Sequence, residues 1–177
     1  MPEALKARGE KVAGELAASV VLGAGQFCTN PGLVLGIRSP EFSAFLHSLT
    51  AKMAEQPPQT LLNAGGLEGY GKGIAALAAH PGITHLAGAA QEGKQARPQL
   101  FKADVSLLLE GDERLQEEVF GPTTIVVEVA DQAELLEAVK GLHGQLTATL
   151  ITEPGDLAGS EELFALLEQK VGRVLFN

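Results

Sequence analysis

Thr123-Thr-Ile-Val-Val-Glu-Val129, Asp131-Gln-Ala-Glu-Leu-Leu-Glu-Ala-Val-Lys-Gly-Leu142, Leu146-Thr-Ala-Thr-Leu-Ile-Thr152, Ser160-Glu-Glu-Leu-Phe-Ala-Leu-Leu-Glu-Gln-Lys-Val171 and Arg173-Val-Leu-Phe176 follow one another near the end of the sequence. The first is rich in β-branched residues, whose stiff side chains suit a pleated sheet better than a helix. The second opens on Asp131, a side chain able to accept from the free N–H groups of a first helical turn. The pattern is β-α-β-α-β. It predicts an α/β fold with a parallel or mixed sheet and crossover helices.

Working upstream, Pro2 to about Leu22 predicts a helix with Leu5, Val12, Leu16 and Val20 at helical spacing, ended by Gly23-Ala-Gly25. A loop, Gln26-Phe-Cys-Thr-Asn-Pro-Gly32, leads to a buried strand at Leu33-Val-Leu-Gly-Ile37. Ser39-Pro40-Glu41 signals the start of a helix reaching about Glu55. A further helix is expected over Gly69 to Ala79, closed by His80-Pro81-Gly82, with short strands at Thr84 to Leu86 and Gln99 to Val105. There is no internal repeat, low-complexity tract or linker, so the 177 residues read as one domain.

Composition narrows the partners. A net charge of −9 without a Lys/Arg cluster argues against nucleic acid. No apolar run approaches the ~20 residues of a membrane-spanning helix. The apolar stretch Ala17 to Ala24 is short and is not followed by a cleavage site, so the expected setting is cytoplasmic. A single cysteine excludes an internal disulfide and a cysteine-based metal site. The four histidines, His47, His80, His85 and His143, show no metal-ligand spacing, and no metal is expected.

A lone cysteine is ordinarily a small buried hydrophobe. Cys28, however, sits at a helix-to-strand junction among Gln26, Phe27, Thr29 and Asn30, with glycines on both sides. A nucleophilic thiol needs an exposed setting where backbone N–H groups can meet a thiolate or an oxyanion. Residue chemistry alone leaves the structural and catalytic roles balanced. Downstream, the acidic run Asp112 to Glu118 passes into Val119-Phe120-Gly121-Pro122, which on composition alone reads more readily as a turn with a Phe anchor than as a functional element. Gly65-Gly66 and Gly69-Tyr-Gly-Lys-Gly73 lack the context of a dinucleotide fingerprint and read as loop or helix-start glycines.

Two segments taken together are more specific. Gly25-Gln-Phe-Cys28-Thr-Asn-Pro-Gly resembles the active-site cysteine signature of the aldehyde dehydrogenases, and Glu117-Glu-Val-Phe-Gly-Pro122 resembles that family's second hallmark. The resemblance extends over essentially the whole chain to Gly172-Arg-Val-Leu-Phe-Asn177. The form Gln-Phe-Cys-Thr-Asn-Pro-Gly looks closest to the branch acting on α-ketoglutaric semialdehyde. The resemblance implies the three-layer αβα catalytic domain of that fold, a small-molecule aldehyde as substrate, and NADP or NAD as cofactor, with NADP favoured. It makes Cys28 the nucleophile, its backbone N–H part of the oxyanion site, Glu118 a partner of the nicotinamide ribose, and Phe120 a packing surface beside it. Gln26 and Phe27 would shape the nicotinamide and substrate sides of the cysteine, and Thr29 and Asn30 the substrate side.

The same resemblance implies groups with no match in these residues. They are a nucleotide-binding domain, a glutamate that activates the deacylating water, an oxyanion asparagine, and a C-terminal tail making oligomer contacts. The expectation is therefore part of a homo-oligomeric enzyme, inactive as this polypeptide alone and prone to self-association. The alternatives are a stand-alone binding or scaffold domain of the same fold, and an enzyme that passes its acyl group to a thiol or phosphate. The intact Glu118-Val-Phe120 argues against the latter.

Overall fold

The structure, a computed structural model, describes residues 1–90 and 93–177. Helix α1 (Pro2–Val21) runs into a 3-10 turn at Leu22–Gly25, and strand β1 (Leu33–Ile37) follows the cysteine loop. Helix α2 (Pro40–Ala54) starts where its signal predicts, with Ser39 Oγ accepting from the Phe42 N–H at 3.0 Å. Helix α3 (Ala64–Ala79) begins well before the expected Gly69. Asn63 caps it, its Oδ1 accepting from the Gly66 N–H at 2.7 Å. Glycines through its first half hide this helix from a propensity reading. Tyr70, Ile74 and Leu77 on its buried face stabilise it instead.

Strands β2 (Ile83–Ala87) and β3 (Gln99–Ala103) are followed by two short helices, α4 (Val105–Leu109) and α5 (Glu113–Gln116). Next come β4 (Thr123–Val129), α6 (Gln132–Gly141), β5 (Gln145–Leu150), the single turn α7 (Pro154–Leu157), α8 (Glu161–Lys170) and β6 (Val171–Phe176). The main sheet has the order β1-β4-β3-β2, with β4 parallel to both of its neighbours and β2 antiparallel to β3. The C-terminal β-α-β-α-β run divides between two sheets, because β5 and β6 pair in parallel with each other. Strand β4 has β1 on one edge and β3 on the other, which leaves no edge for β5.

Period-two alternation builds the three layers. Leu100 and Val126 face α1 and α2, packing with Val12, Val20, Phe42, Phe45, Leu49 and Met53. Phe101, Ala103, Ile125, Val127 and Val129 belong to a second cluster with residues of α3, α4, α6 and α8. Central β4 is thus buried on both faces, and its apolar β-branched run reflects that. At its end, Glu128 bridges the sheet: Arg38 Nε lies 2.9 Å from Oε1, and Lys102 Nζ lies 2.5 Å from Oε2.

The β5–β6 pair is anchored to the start of α1. The buried Asp156 carboxylate accepts from the N–H groups of Glu3 (3.0 Å), Ala4 (2.9 Å) and Glu153 (3.0 Å). A buried carboxylate needs this saturation, and a helix N-terminus provides it. Helix α1 departs from helical geometry at Arg8, whose guanidinium reaches Glu153 Oε1 and the Thr152 carbonyl. These contacts hold the second sheet beside the first and leave a cleft between them.

Candidate active site

The loop carrying Cys28 leaves α1 through three consecutive residues of positive φ: Gly23 (56°), Ala24 (60°) and Gly25 (67°). Ala24 has a β-carbon there, which costs roughly 1–2 kcal/mol. Gly25 has no freedom to carry one, since a β-carbon would fall 2.3 Å from the backbone of Gly121. The two sequence motifs therefore touch main chain to main chain. Asn30 Nδ2 adds a long hydrogen bond to the Gly121 carbonyl at 3.4 Å.

Gly121 is pressed from its other side by the Tyr70 ring. The Tyr70 hydroxyl donates to the Arg97 carbonyl at 2.7 Å, with the Pro122 carbonyl at 3.3 Å. Burial pushes the phenol far above its ordinary range, so it remains a donor. Val119 packs over Gly73 of α3, where a β-carbon would meet its methyls at 2.8 Å. The glycines read as loop or helix-start residues all lie within α3, against which the second motif packs.

Helix α5 leads into that motif. Asp112 caps it, Oδ1 accepting from the Arg114 N–H at 2.8 Å and Oδ2 facing His80 Nε2 at 3.1 Å. His80 Nδ1 accepts from the Gly82 N–H at 3.3 Å, which places the ring proton on Nε2. Desolvation opposes ionisation of Asp112, but the Arg114 N–H and His80 outweigh it and hold the carboxyl below its ordinary value.

A cleft of about 460 Å³ opens between these elements. The exposed Cys28, together with Phe27 and Asn30, lines one side, and Glu117, Glu118 and Phe120 line the next. His143, just before β5, and Gln145 and Leu146 at its start complete the lining. Gln26 and Thr29 are not among the lining residues. Gln26 turns away, its Oε1 accepting from the Leu62 N–H at 2.8 Å and so joining the loop to the approach to α3. The sequence does not single out Tyr70 or His143 for the site, because only the tertiary packing brings them to the motifs, and Gln116, although it directly precedes Glu117, shows its partners only in the fold. A second groove of about 350 Å³, between α1 and α2, is lined by Leu5, Lys6, Glu10, Glu41 and Ser48 among others and lies apart from Cys28 and the second motif. Among the described residues, no group of three or more His, Cys, Asp or Glu could hold a metal ion, and no helix is long and apolar enough to cross a membrane.

Comparison with known proteins is decisive on descent. The chain is 51% identical over 179 residues to an alpha-ketoglutaric semialdehyde dehydrogenase of Acinetobacter baylyi, the match covering 100% of the chain and 34% of that protein. The chain belongs to the aldehyde dehydrogenase family. It is also 37% identical to alpha-ketoglutaric semialdehyde dehydrogenase 2 of Azospirillum brasilense, over 99% of the chain and 34% of that relative. The chain thus spans about a third of the length of the curated aldehyde dehydrogenases it matches. No family model matches it. Its fold is that of the solved aldehyde dehydrogenases. A NAD-dependent benzaldehyde dehydrogenase from Corynebacterium glutamicum superposes with a TM-score of 0.74 at 22% identity, over 95% of this chain and 37% of that one. The aldehyde dehydrogenase from Bacillus cereus in its NAD+ complex gives 0.73 at 20% identity, over 94% and 35%.

Proposed function

We propose that residues 1–177 form the cysteine-bearing catalytic domain of an NAD(P)-dependent aldehyde dehydrogenase, with Cys28 as nucleophile. The observation that carries this reading is that Cys28, Phe27 and Asn30 share one cleft with Glu118 and Phe120. The names of the two curated relatives support α-ketoglutaric semialdehyde as the aldehyde. The NADP preference rests on the branch resemblance, and the cytoplasmic setting on composition.

The cleft's residues suit the nicotinamide end of the cofactor. The exposed Glu118 carboxylate is free to accept from sugar hydroxyls, and the exposed Phe120 ring can pack on a flat heterocycle. Cys28 attacks the aldehyde carbon; the S–C bond forms, and the carbonyl electron pair moves to oxygen, giving a thiohemiacetal on the cysteine. The Cys28 N–H stabilises that oxygen. When bound, the nicotinamide supplies the hydride acceptor that converts the adduct to a thioester. Water then adds to the thioester, the S–C bond breaks, and the acid leaves as the thiolate is restored. Activation of that water is assigned to no residue of this chain, so the 177-residue polypeptide alone is proposed to be inactive.

The test is Cys28→Ser in the full-length enzyme. Aldehyde-dependent formation of reduced cofactor should fall by about 10³-fold or more. Turnover at the normal rate overturns the reading. Free acid is the expected product, whereas an acyl thioester would move the protein to the acyl-transferring class. In a scaffold domain without chemistry, Cys28 alkylation would be unaffected by NADP+. In the enzyme, the cofactor shields the thiol.

A further inference from the structure

Two stretches that line the cleft, Glu117 to Phe120 and His143 to Leu146, come from different elements, and the Gln116 side chain joins them. Gln116 Oε1 accepts from the backbone N–H of His143 at 2.7 Å, and its Nε2 donates to the carbonyl of Gly141 at 3.2 Å. A primary amide offers an acceptor and a donor in one plane, which matches a peptide backbone read from the side. Neither Glu nor Met can make both bonds.

Gln116 is the last residue of α5 and directly precedes Glu117-Glu118. A helix of one turn has negligible stability of its own, so its anchors set its position. Those anchors are Asp112 on His80 at its start, Leu115 in the core, and Gln116 on the 141–143 backbone at its end. The clasped segment is fixed from behind as well, where Lys170 Nζ donates to the carbonyls of Lys140 (2.7 Å) and Leu142 (2.8 Å).

We infer that Gln116 is a positioning residue of the active site: its amide sets the span between Glu118 and Phe120 on one side and His143 and Leu146 on the other, and so how firmly the nicotinamide end is held. The inference rests on the reading of Glu118 and Phe120 as cofactor-side residues. Its structural half and its functional half are measured separately.

Amide exchange tests the clasp in the full-length protein. In Gln116→Met, the His143 amide should exchange about tenfold faster or more, while Val126 and Val127 in central β4 stay protected. In Gln116→Glu, the acceptor survives and His143 should remain slow. Equal acceleration at all these sites, or none at His143 in Gln116→Met, overturns the clasp. Protection of Cys28 from iodoacetamide by NADP+ tests the consequence. The half-protecting concentration should rise about tenfold in Gln116→Met, with Glu118→Ala as the reference for direct loss of a cofactor contact. If Glu118→Ala weakens protection and Gln116→Met does not, the positioning role fails and the reading of the site stands. If neither does, or the unsubstituted protein shows no protection, the reading itself fails.

Discussion

Gly25 and Gly121 lie back to back, close enough that a β-carbon on Gly25 would stand 2.3 Å from both the carbonyl carbon and the oxygen of Gly121. The cysteine loop and the second motif are joined there by main chain. Substituting Gly25 by Ala meets two obstacles: a positive φ, which costs of order 1–3 kcal/mol, and a backbone that cannot rotate aside. Gly25→Ala is expected to lower unfolding free energy by about 2 kcal/mol or more in denaturant titration. Ala at Gly93, which also has positive φ but open space around it, should cost distinctly less. Similar losses at the two positions would contradict the packing argument.

Tyr70 presses on Gly121 from the opposite side and is the sequence's one tyrosine, in a chain without tryptophan. Its absorbance therefore reports one site. Burial raises the folded phenol above its ordinary value of 10, so only the unfolded state ionises near that pH. Stability from this group is complete below pH 10 and falls as pH rises above it. Alkaline titration monitored for tyrosinate should show no ionisation before the loss of ellipticity. A tyrosinate signal in the folded protein at pH 10 would contradict the buried hydroxyl. Tyr70→Phe should cost only about 1 kcal/mol in denaturant, because the Arg97 and Pro122 carbonyls keep bonds from Gln99.

Glu128 carries the clearest acid dependence. The Lys102 ammonium holds its carboxyl below the ordinary value of 4.5, against desolvation and with help from Arg38. The unfolded chain thus binds the proton first. The group's stabilisation is complete above pH 4.5 and is lost as pH falls through the lower folded value. Glu128→Gln should therefore be less stable than the unsubstituted protein at pH 7, with the gap closing below pH 4.5 in a pH series of unfolding curves. A gap independent of pH would show that the charge is not the cause.

The sequence by itself determined a good deal. The β-branched run at Thr123–Val129 became the central strand, Ser39 and Asp131 capped their helices, and the two motifs carried the family. These features are local: a cap, a period or a motif is read within one segment. Tertiary structure decided what local patterns cannot specify. Strand β4 is flanked by β1 and β3, and β5 pairs with β6 in a sheet of its own. Glycine-rich α3 formed because Tyr70, Ile74 and Leu77 found a core to bury in, despite poor propensity. Gln26, expected beside Cys28, finds a partner in the distant Leu62 N–H. Gln116, unremarked in sequence, became the bridge between the cleft walls. A side chain's partner depends on which distant backbone packing brings within reach, and that is settled only when the sheets and helices close on one another.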